Sequence, residues 1–536
     1  MAATITASLN LDTTDVDRLF TSTVVLPEVN GLLHTAETDL RRAIGVLNTY
    51  KVLTRTLSRT VLGLEERIRK LKLLTSPAYR LPEDILIRIF QMCLDEEPRV
   101  NIRPSITPTV FRLARICARW HDIVWDQPLL WSQFGISFQE CETYCESLKR
   151  ITDLFLARSR SHPLALTLML PSPPASPSYI QTLESITQHS DRWLELYLDG
   201  ASLLSGVPHI DLIQNRLSRL EVLTISGCPF SVMQSDFRLF ESVPRLHTLA
   251  VEYFRSTAQN SHFPWHQIRR LRLHKIPLVD MLSIMRRCVM VEEITVAQTD
   301  YLHDGEVGVS RDLDSSLMVT LGEVKRLTVE LHPGQEIPSV LKHSRMPTLS
   351  HLTLKGLGGV LESSWSGAAW TGAQSIREFL KRSACQPTSL TLEYIPVVHK
   401  DVQLLFRTMP ELQALTLIDF LDRPGRTVAP IVLMDLVVLD ERPPGSARPF
   451  LPALSHLSVG VHWSIPVVDT LEEICNTRWL PDPNRSREVA RACLKSLDVR
   501  YIRPPAYCDL ELDRLECYGS AGMRLTLVVD ALEPIT

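Results

Sequence analysis

The chain has 536 residues, 45% of them hydrophobic and 22% charged, a balance that excludes a wholly disordered polypeptide and a length that exceeds one ordinary core. Its 57 Lys and Arg against 61 Asp and Glu leave a formal charge of -4, which lacks the basic surplus of a dedicated nucleic-acid binder. The first residues lack a secretory signal's basic and apolar regions, no apolar run reaches membrane-spanning length, and 11 scattered cysteines suit reduced thiols, so the expected location is the cytoplasm and/or nucleus with no membrane contact.

Residues 1–30 are rich in Thr, Ser and Asp without a sustained period and are expected to be disordered. From there to residue 76 the pattern becomes helical. Leu33, Leu40, Leu47, Thr54, Val61 and Ile68 fall seven apart, and Ala36, Ala43, Tyr50, Leu57, Leu64 and Leu71 follow each by three, which is the a/d spacing of a coiled coil. Such a helix spans ~60 Å at 1.5 Å per residue. It self-associates, folds into an antiparallel hairpin, or lies along the rest of the protein; the spacing alone leaves all three open. Ser76-Pro77 ends it.

Residues 81–131 hold two amphipathic segments. Pro82 suits a first helical position, and Glu83 and Asp84 meet the positive end of the helix dipole. Ile85, Ile89 and Cys93 recur at i, i+4 and i+8, with Leu86, Phe90 and Leu94 beside them, to about residue 94. A second helix is expected from about Thr109, with Val110, Leu113, Ile116, Cys117, Trp120, Ile123 and Val124 on one side and Arg112, Arg115 and Arg119 on the other. Both segments carry more apolar side chain than so short a pair buries between its own helices.

These residues resemble an F-box: Leu81-Pro82, then Ile85-Leu86 and Ile89-Phe90, then a helix carrying Cys117 and Trp120, then Leu130-Trp131. The connection at 95–108, broken by Pro98, Pro104 and Pro108, is longer than the family's commonest form. A long helix directly before the F-box also resembles an arrangement common in basidiomycete F-box proteins. The resemblance implies docking to a Skp-type adaptor, and through it to a cullin, by Leu81, Pro82, Ile85, Leu86, Ile89, Phe90, Cys117, Trp120 and Trp131, over a module at 77–137.

From 138 to 536 short segments of the form apolar-x-x-apolar-x-apolar recur. Examples are Leu220, Leu223, Ile225; Leu246, Leu249, Val251; Leu349, Leu352, Leu354; Leu412, Leu415, Leu417; and Leu454, Leu457, Val459. Trp193, Leu196 and Leu198 open the series, and Leu512, Leu515 and Cys517 are its last clear member. Several begin with x-Pro-x-Leu, as at Val243-Pro244-Arg245-Leu246 and Met409-Pro410-Glu411-Leu412. Stacked parallel strands of this kind bury a leucine ladder that one repeat cannot bury alone, with helices at 279–287, 375–382 and 401–407 on the other side. The pattern resembles the irregular leucine-rich repeats of F-box proteins. Proline-rich stretches at 171–178 and 422–450, and the polar 480–487, are expected to be loops. The fold class is therefore α plus α/β: a helical N-terminal coiled coil and F-box, followed by a leucine-rich-repeat-like solenoid.

No catalytic signature is present: there is no G-x-S-x-G, G-x-x-x-x-G-K-[ST] or H-E-x-x-H, and Cys141 and Cys145 lack a second pair at zinc-like distance. A non-enzymatic chain without cofactor or metal is expected. Outward strand positions such as Thr224, Thr353, Thr416 and Arg272, with His274, Glu330, Lys355 and Glu393, are candidates to bind an unidentified protein substrate, together with Trp365 and Trp370. The implied function is substrate recognition in an SCF-type cullin-RING ubiquitin ligase. The alternative is a leucine-rich-repeat scaffold that self-associates through 31–76 and performs no ubiquitin chemistry.

Overall fold

The computed structural model describes residues 26–75, 77–95, 101–102, 107–138, 145–170, 177–200, 213–226, 237–252, 263–297, 318–331, 337–356, 370–397, 399–419, 428–440, 450–462, 464–484, 486, 491–502 and 512–530. Two compact units divide the chain, Met1–Ile89 and Phe90–Thr536. Of the disorder expected at 1–30, residues 1–25 lie outside the described residues, while 26–30 are the first turn of the helix Leu26–Thr75.

The first unit is dominated by one helix, α1, Leu26–Thr75, of 50 residues. At 1.5 Å per residue it is ~75 Å long. It is uninterrupted, which removes the expected alternative of a hairpin within this segment. Gly45 and Gly63 do not break it, because each costs only about 1 kcal/mol relative to Ala. Its threonines are accommodated by donating hydroxyl hydrogens one turn back: Thr49 to the Gly45 carbonyl (3.0 Å), Thr54 to Tyr50 (2.8 Å) and Thr56 to Val52 (3.0 Å). Ion pairs Arg42–Asp39 and Lys70–Glu66 line its polar side. A short α2, Pro77–Arg80, follows, and α3, Glu83–Asp95, runs across the unit boundary.

The second unit is built on a 14-stranded sheet whose neighbours are all parallel and follow chain order. Its strands are β1 Gln133–Ser137, β2 Leu164–Met169, β3 Trp193–Asp199, β4 Val222–Ser226, β5 Thr248–Glu252, β6 Arg270–His274 and β7 Glu293–Ala297. They continue as β9 Arg326–Leu331, β11 His351–Gly356, β12 Ser389–Glu393, β13 Ala414–Ile418, β14 His456–His462, β15 Ser496–Ile502 and β16 Arg524–Asp530. The two-residue β8 Val319–Thr320 and β10 Ser344–Arg345 pair separately. Helices α6 Cys145–Arg158 and α7 Pro177–Gln188 pack on each other, as do α9 Ala373–Ser383 with α10 His399–Arg407, and α11 Val428–Asp440 with α12 Val468–Arg478. The crossover segments between strands carry the chain back to the same end and so make the neighbours parallel, while the side-chain period of two points alternate residues of each strand to the same face.

Register makes the core. Leu223, Leu249, Leu271, Ile294, Leu327, Leu352, Leu390, Leu415, Leu457, Leu497 and Leu525 stand opposite one another in successive strands. A second row two residues on runs from Ile225 to Leu527, and both rows are buried from β4 to β15. Each fully buried member contributes about 1.5–3 kcal/mol relative to exposure. The residues between, including Thr224, Arg272, Thr353 and Thr416, lie on the opposite, partly exposed side.

The x-Pro-x-Leu phrase is a turn. Leu246 donates its N–H to Val243 (3.2 Å), Leu349 to Met346 (3.3 Å), Leu412 to Met409 (3.2 Å) and Leu454 to Leu451 (3.2 Å), with first and fourth residues buried. Proline presets the φ its second position needs. The turns are then tied together by shared carbonyls: His247 and Thr248 both donate to Glu221, Arg269 and Arg270 to His247, and Ser455 and His456 to Gln413. Backbone groups between strands are thus satisfied before the sheet begins.

Three expectations are corrected. Within 422–450, expected to be loop, residues Val428–Asp440 form α11. Pro430 sits in its first turn, where the missing N–H has no partner to lose, the Asp419 carboxylate accepts the Ala429 N–H (3.2 Å), and Val432, Leu433 and Leu436 are buried. Leu512, Leu515 and Cys517 are not a strand, since Asp513–Ser520 is helical. The final strand is β16, ten residues later, where Leu525 and Leu527 take the ladder positions. The parallel sheet also begins before Trp193, at β1 and β2.

Candidate functional site

The F-box-like stretch begins with α3, where the Leu86 N–H donates to the Pro82 carbonyl (3.1 Å) and Glu83 and Asp84 occupy the first turn. The helix separates two classes of apolar residue. Leu86 and Phe90 are buried, whereas Ile85 (44% exposed), Ile89 (37%) and Met92 (57%) fall at i, i+4 and i+7 on a face open to solvent. Pro82 is exposed, and Leu81 and Cys93 are half-buried.

The second expected helix is two: α4, Thr109–Ala114, and α5, Ala118–Asp126. Cys117 is the cause. Its backbone is extended (φ -158°, ψ 167°), and its Sγ accepts the Trp120 N–H at 3.5 Å, so it caps α5 and does not continue a helix. Ile116, in the break, is exposed. A 3-10 turn, Pro128–Trp131, follows, with Leu129 exposed and Leu130 and Trp131 buried.

Trp131 is the fastening point. Its indole N–H donates to the Val124 carbonyl (2.7 Å), and its ring meets Trp125 (5.1 Å), Phe111 (5.7 Å) and Phe155 of α6 (5.1 Å). Phe155 in turn contacts Phe134 of β1 at 5.3 Å, and Arg158 lies over the Trp125 ring at 4.3 Å. Phe90 and Trp120 stack at 4.7 Å. In the stretched connection, residues 101 and 102 are described: Ile102 bridges Ile136, donating its N–H to Gly135 (2.8 Å), and the Asn101 side-chain oxygen accepts from Gly135 (3.0 Å). The insertion therefore pairs with the first strand of the sheet.

On the solvent side of the sheet, the charged candidates pair with one another. Arg272 donates to Glu330 (2.9 Å), which is itself buried and whose second oxygen has no hydrogen bond among the described residues. Lys355 meets Glu393 (3.1 Å), and His274 meets Glu252 (2.9 Å). Burial alone would raise the Glu252 carboxyl, but hydrogen bonds from Lys275, Ser226 and His274 outweigh it and hold the group below the ordinary carboxylate range. Trp370 is buried, its N–H donating to Pro396 (2.7 Å), so it is core and not an open anchor. Trp365 lies outside the described residues. No group of three or more His, Cys, Asp or Glu among the described residues is placed to hold a metal, and no described helix is long and apolar enough to cross a membrane.

Residues 78–137 match the F-box-like family. No curated protein matches the chain. The F-box-like domain implies binding of a Skp-type adaptor and a non-catalytic adaptor role, and it spans the same helices whose outer residues are open. Of the nine residues assigned to adaptor contact from sequence, Pro82, Ile85 and Ile89 are exposed, Leu81, Cys117 and Trp120 are half-buried, and Leu86, Phe90 and Trp131 are interior. Met92, Ile116 and Leu129 were absent from that set. Met92 lies seven residues after Ile85 on the same helical face, a spacing legible in the sequence; Ile116 is expected on the apolar side of one continuous helix, but the break at Cys117 places it in a turn.

Proposed function

We propose that this chain is the substrate-recognition adaptor of an SCF-type cullin-RING E3 ubiquitin ligase. The carrying observation is the F-box-like domain, whose Ile85, Ile89 and Met92 face is open while its own core is complete without it. The Skp-type adaptor covers that face and links the chain to a cullin. Leu86, Phe90, Cys117, Trp120 and Trp131 hold the helices in place and contribute to docking through them. Residues 138–536 act as a leucine-rich-repeat solenoid; the in-register leucine rows and repeated turns support this reading. Their solvent side, including Arg272, His274, Glu330, Lys355 and Glu393, receives the substrate protein. The chain works by proximity, holding a substrate lysine near a charged conjugating enzyme so that transfer becomes effectively intramolecular. It acts in the cytoplasm and/or nucleus.

The test is direct binding of purified chain to a purified Skp-type adaptor, followed by recovery of a cullin with the pair. Absence of binding by a folded chain overturns the ligase reading. A second reading, self-association through α1, rests on a separate observation: the large apolar residues at its a and d positions, from Leu33 to Leu71, are open to solvent. It accompanies the first reading if the adaptor binds, and as a scaffold replaces it if the adaptor does not.

A further inference from the structure

The apolar stripe of α1 is continuous and uncovered. Leu33, Leu40, Leu47, Tyr50, Leu57, Val61, Leu64, Ile68 and Leu71 are each between 49% and 64% exposed. The two residues that weaken the helix, Gly45 and Gly63, lie off the stripe, with open space around them. Such a row needs a partner with matching knobs and holes. Resting on the self-association reading, we propose that the occupant is a second copy of α1 running antiparallel, with Leu33 of one chain level with Leu71 of the other.

Volume decides the direction. The stripe is thin at its N-terminal half, where Ala36 and Ala43 occupy d positions, and thick at its C-terminal half, where Leu57, Leu64, Ile68 and Leu71 stand. A parallel, in-register pair sets Ala36 on Ala36 and Ala43 on Ala43, leaving two gaps, sets Tyr50 on Tyr50, and sets the hydroxyls of Thr54 against each other. Interiors tolerate neither voids nor crowding well. The antiparallel pair instead sets Ala36 against Ile68 of the second copy, Ala43 against Val61, and Tyr50 against Thr54, while Leu33, Leu40 and Leu47 meet Leu71, Leu64 and Leu57. Every layer then joins a small residue to a large one or leucine to leucine.

The flanks agree in part. Asp39, now paired with Arg42, comes within two residues of level with Arg67 of the second copy on the same flank, and the reciprocal contact is equivalent. Against this, Glu37 nears Glu65 and Lys51 nears its own mate, but exposed flanking pairs count for little beside the core layers. The parallel pair has only the repulsive contact of Arg67 with Lys72. Function follows from direction. Antiparallel helices place the two Lys72 positions ~60 Å apart along the axis, 40 residues at 1.5 Å each. A parallel pair places them about 10 Å apart, one helix diameter. The segments that follow α1 therefore leave the dimer at opposite ends, and two adaptor-docking modules avoid competing for one volume.

The test uses the full chain, with Leu32→p-benzoylphenylalanine in isotopically light protein mixed with unlabelled-probe heavy protein, so that cross-links between chains are identified by mass. A second variant, Arg67→p-benzoylphenylalanine, guards against disruption by the first. The expected attachments are to residues 68–75 of the other chain from position 32, and to residues 36–43 from position 67. Attachment of position 32 to residues 30–40 of the other chain, or of position 67 to residues 64–75, makes the pair parallel and overturns the inference. Dimer mass by sedimentation without interchain links from either probe places the interface elsewhere and also overturns it. Monomer mass at tens of micromolar overturns both the inference and the self-association reading, and leaves adaptor docking untouched.

Discussion

Replacing Ile85 and Ile89 together by alanine separates docking from folding. Both lie on the open face of α3, 44% and 37% exposed, so the chain covers rather more than half of each residue and leaves the rest for a partner. Together their unburied fractions amount to roughly four fifths of one large side chain. At about 1.5–3 kcal/mol for full burial of such a group, covering both contributes ~1.2–2.4 kcal/mol to a partner contact. That corresponds to a loss of affinity of about 8- to 60-fold. The partner control is Leu86→Ala, one residue away in sequence but 1% exposed. It removes core contacts and is expected to cost about 2–5 kcal/mol of stability. The assay is calorimetric titration of the full chain with a purified Skp-type adaptor, beside thermal melts followed by circular dichroism. The double variant should melt earlier than wild type, because over half of each residue is covered within the chain, yet stay folded at the assay temperature and bind weakly; Leu86→Ala should cost more stability than either single isoleucine substitution. A folded double variant with unchanged affinity refutes the assignment of this face to docking. A stability loss from either single isoleucine substitution as large as that from Leu86→Ala refutes the claim that these side chains stand at the open edge of the core.

Three further outcomes follow from other parts of the molecule. Gly45→Ala with Gly63→Ala should raise helicity and stabilise α1 by about 1 kcal/mol each, because neither new Cβ meets an atom within 4 Å; urea melts with a signal confined to α1 check this, and a destabilised double variant contradicts the open surroundings. Burial, and then the charge of Arg192, hold the His189 and His162 imidazoles below their ordinary value. Since the depressed folded-state value disfavours protonation in the native chain, their contribution is complete above about pH 6.5 and is lost as pH falls through the lowered value. Melting temperature should therefore fall from pH 7 to 5, and His189→Gln should flatten that slope; an equal slope in the variant rejects the role of His189. Burial pushes the thiols of Cys288 and Cys475 up to about 12 and that of Cys385 up to about 11, while Cys517 is exposed. Iodoacetamide at pH 8 should mark Cys517 before the three buried thiols and leave those three intact until the chain unfolds, as read by peptide mass; native labelling of Cys288 at the rate of Cys517 indicates local opening.

The helices and strands were written locally where one rule dominates. The alternation Leu-x-Leu fixes which residues enter the sheet's buried rows, and a seven-residue recurrence fixes which residues line one side of α1. Both are consequences of backbone periodicity alone. The misread elements are those where two local signals conflict. Pro430 signals a loop until it is placed in a helix's first turn beside the Asp419 carboxylate. Leu512, Leu515 and Cys517 match the strand spacing, but the segment forms a helix in which Leu515 is buried and Cys517, on the opposite side, is exposed.

The sequence by itself determined the identity of the F-box-like stretch, the apolar faces and the parallel leucine rows, because spacing along the chain specifies which side chains share a face. Only the tertiary structure decided what each face does. Leu86 and Ile85 are adjacent and equally apolar, yet one is interior and the other open. Trp131 looks like a docking residue until Val124, Phe155 and Trp125 surround it, and Arg272, Glu330, Lys355 and Glu393 look like free charges until the sheet brings them into pairs, Arg272 of β6 reaching Glu330 of β9 across β7 and Lys355 of β11 meeting Glu393 of β12. Burial and pairing depend on residues distant in the chain, and periodicity carries no information about those.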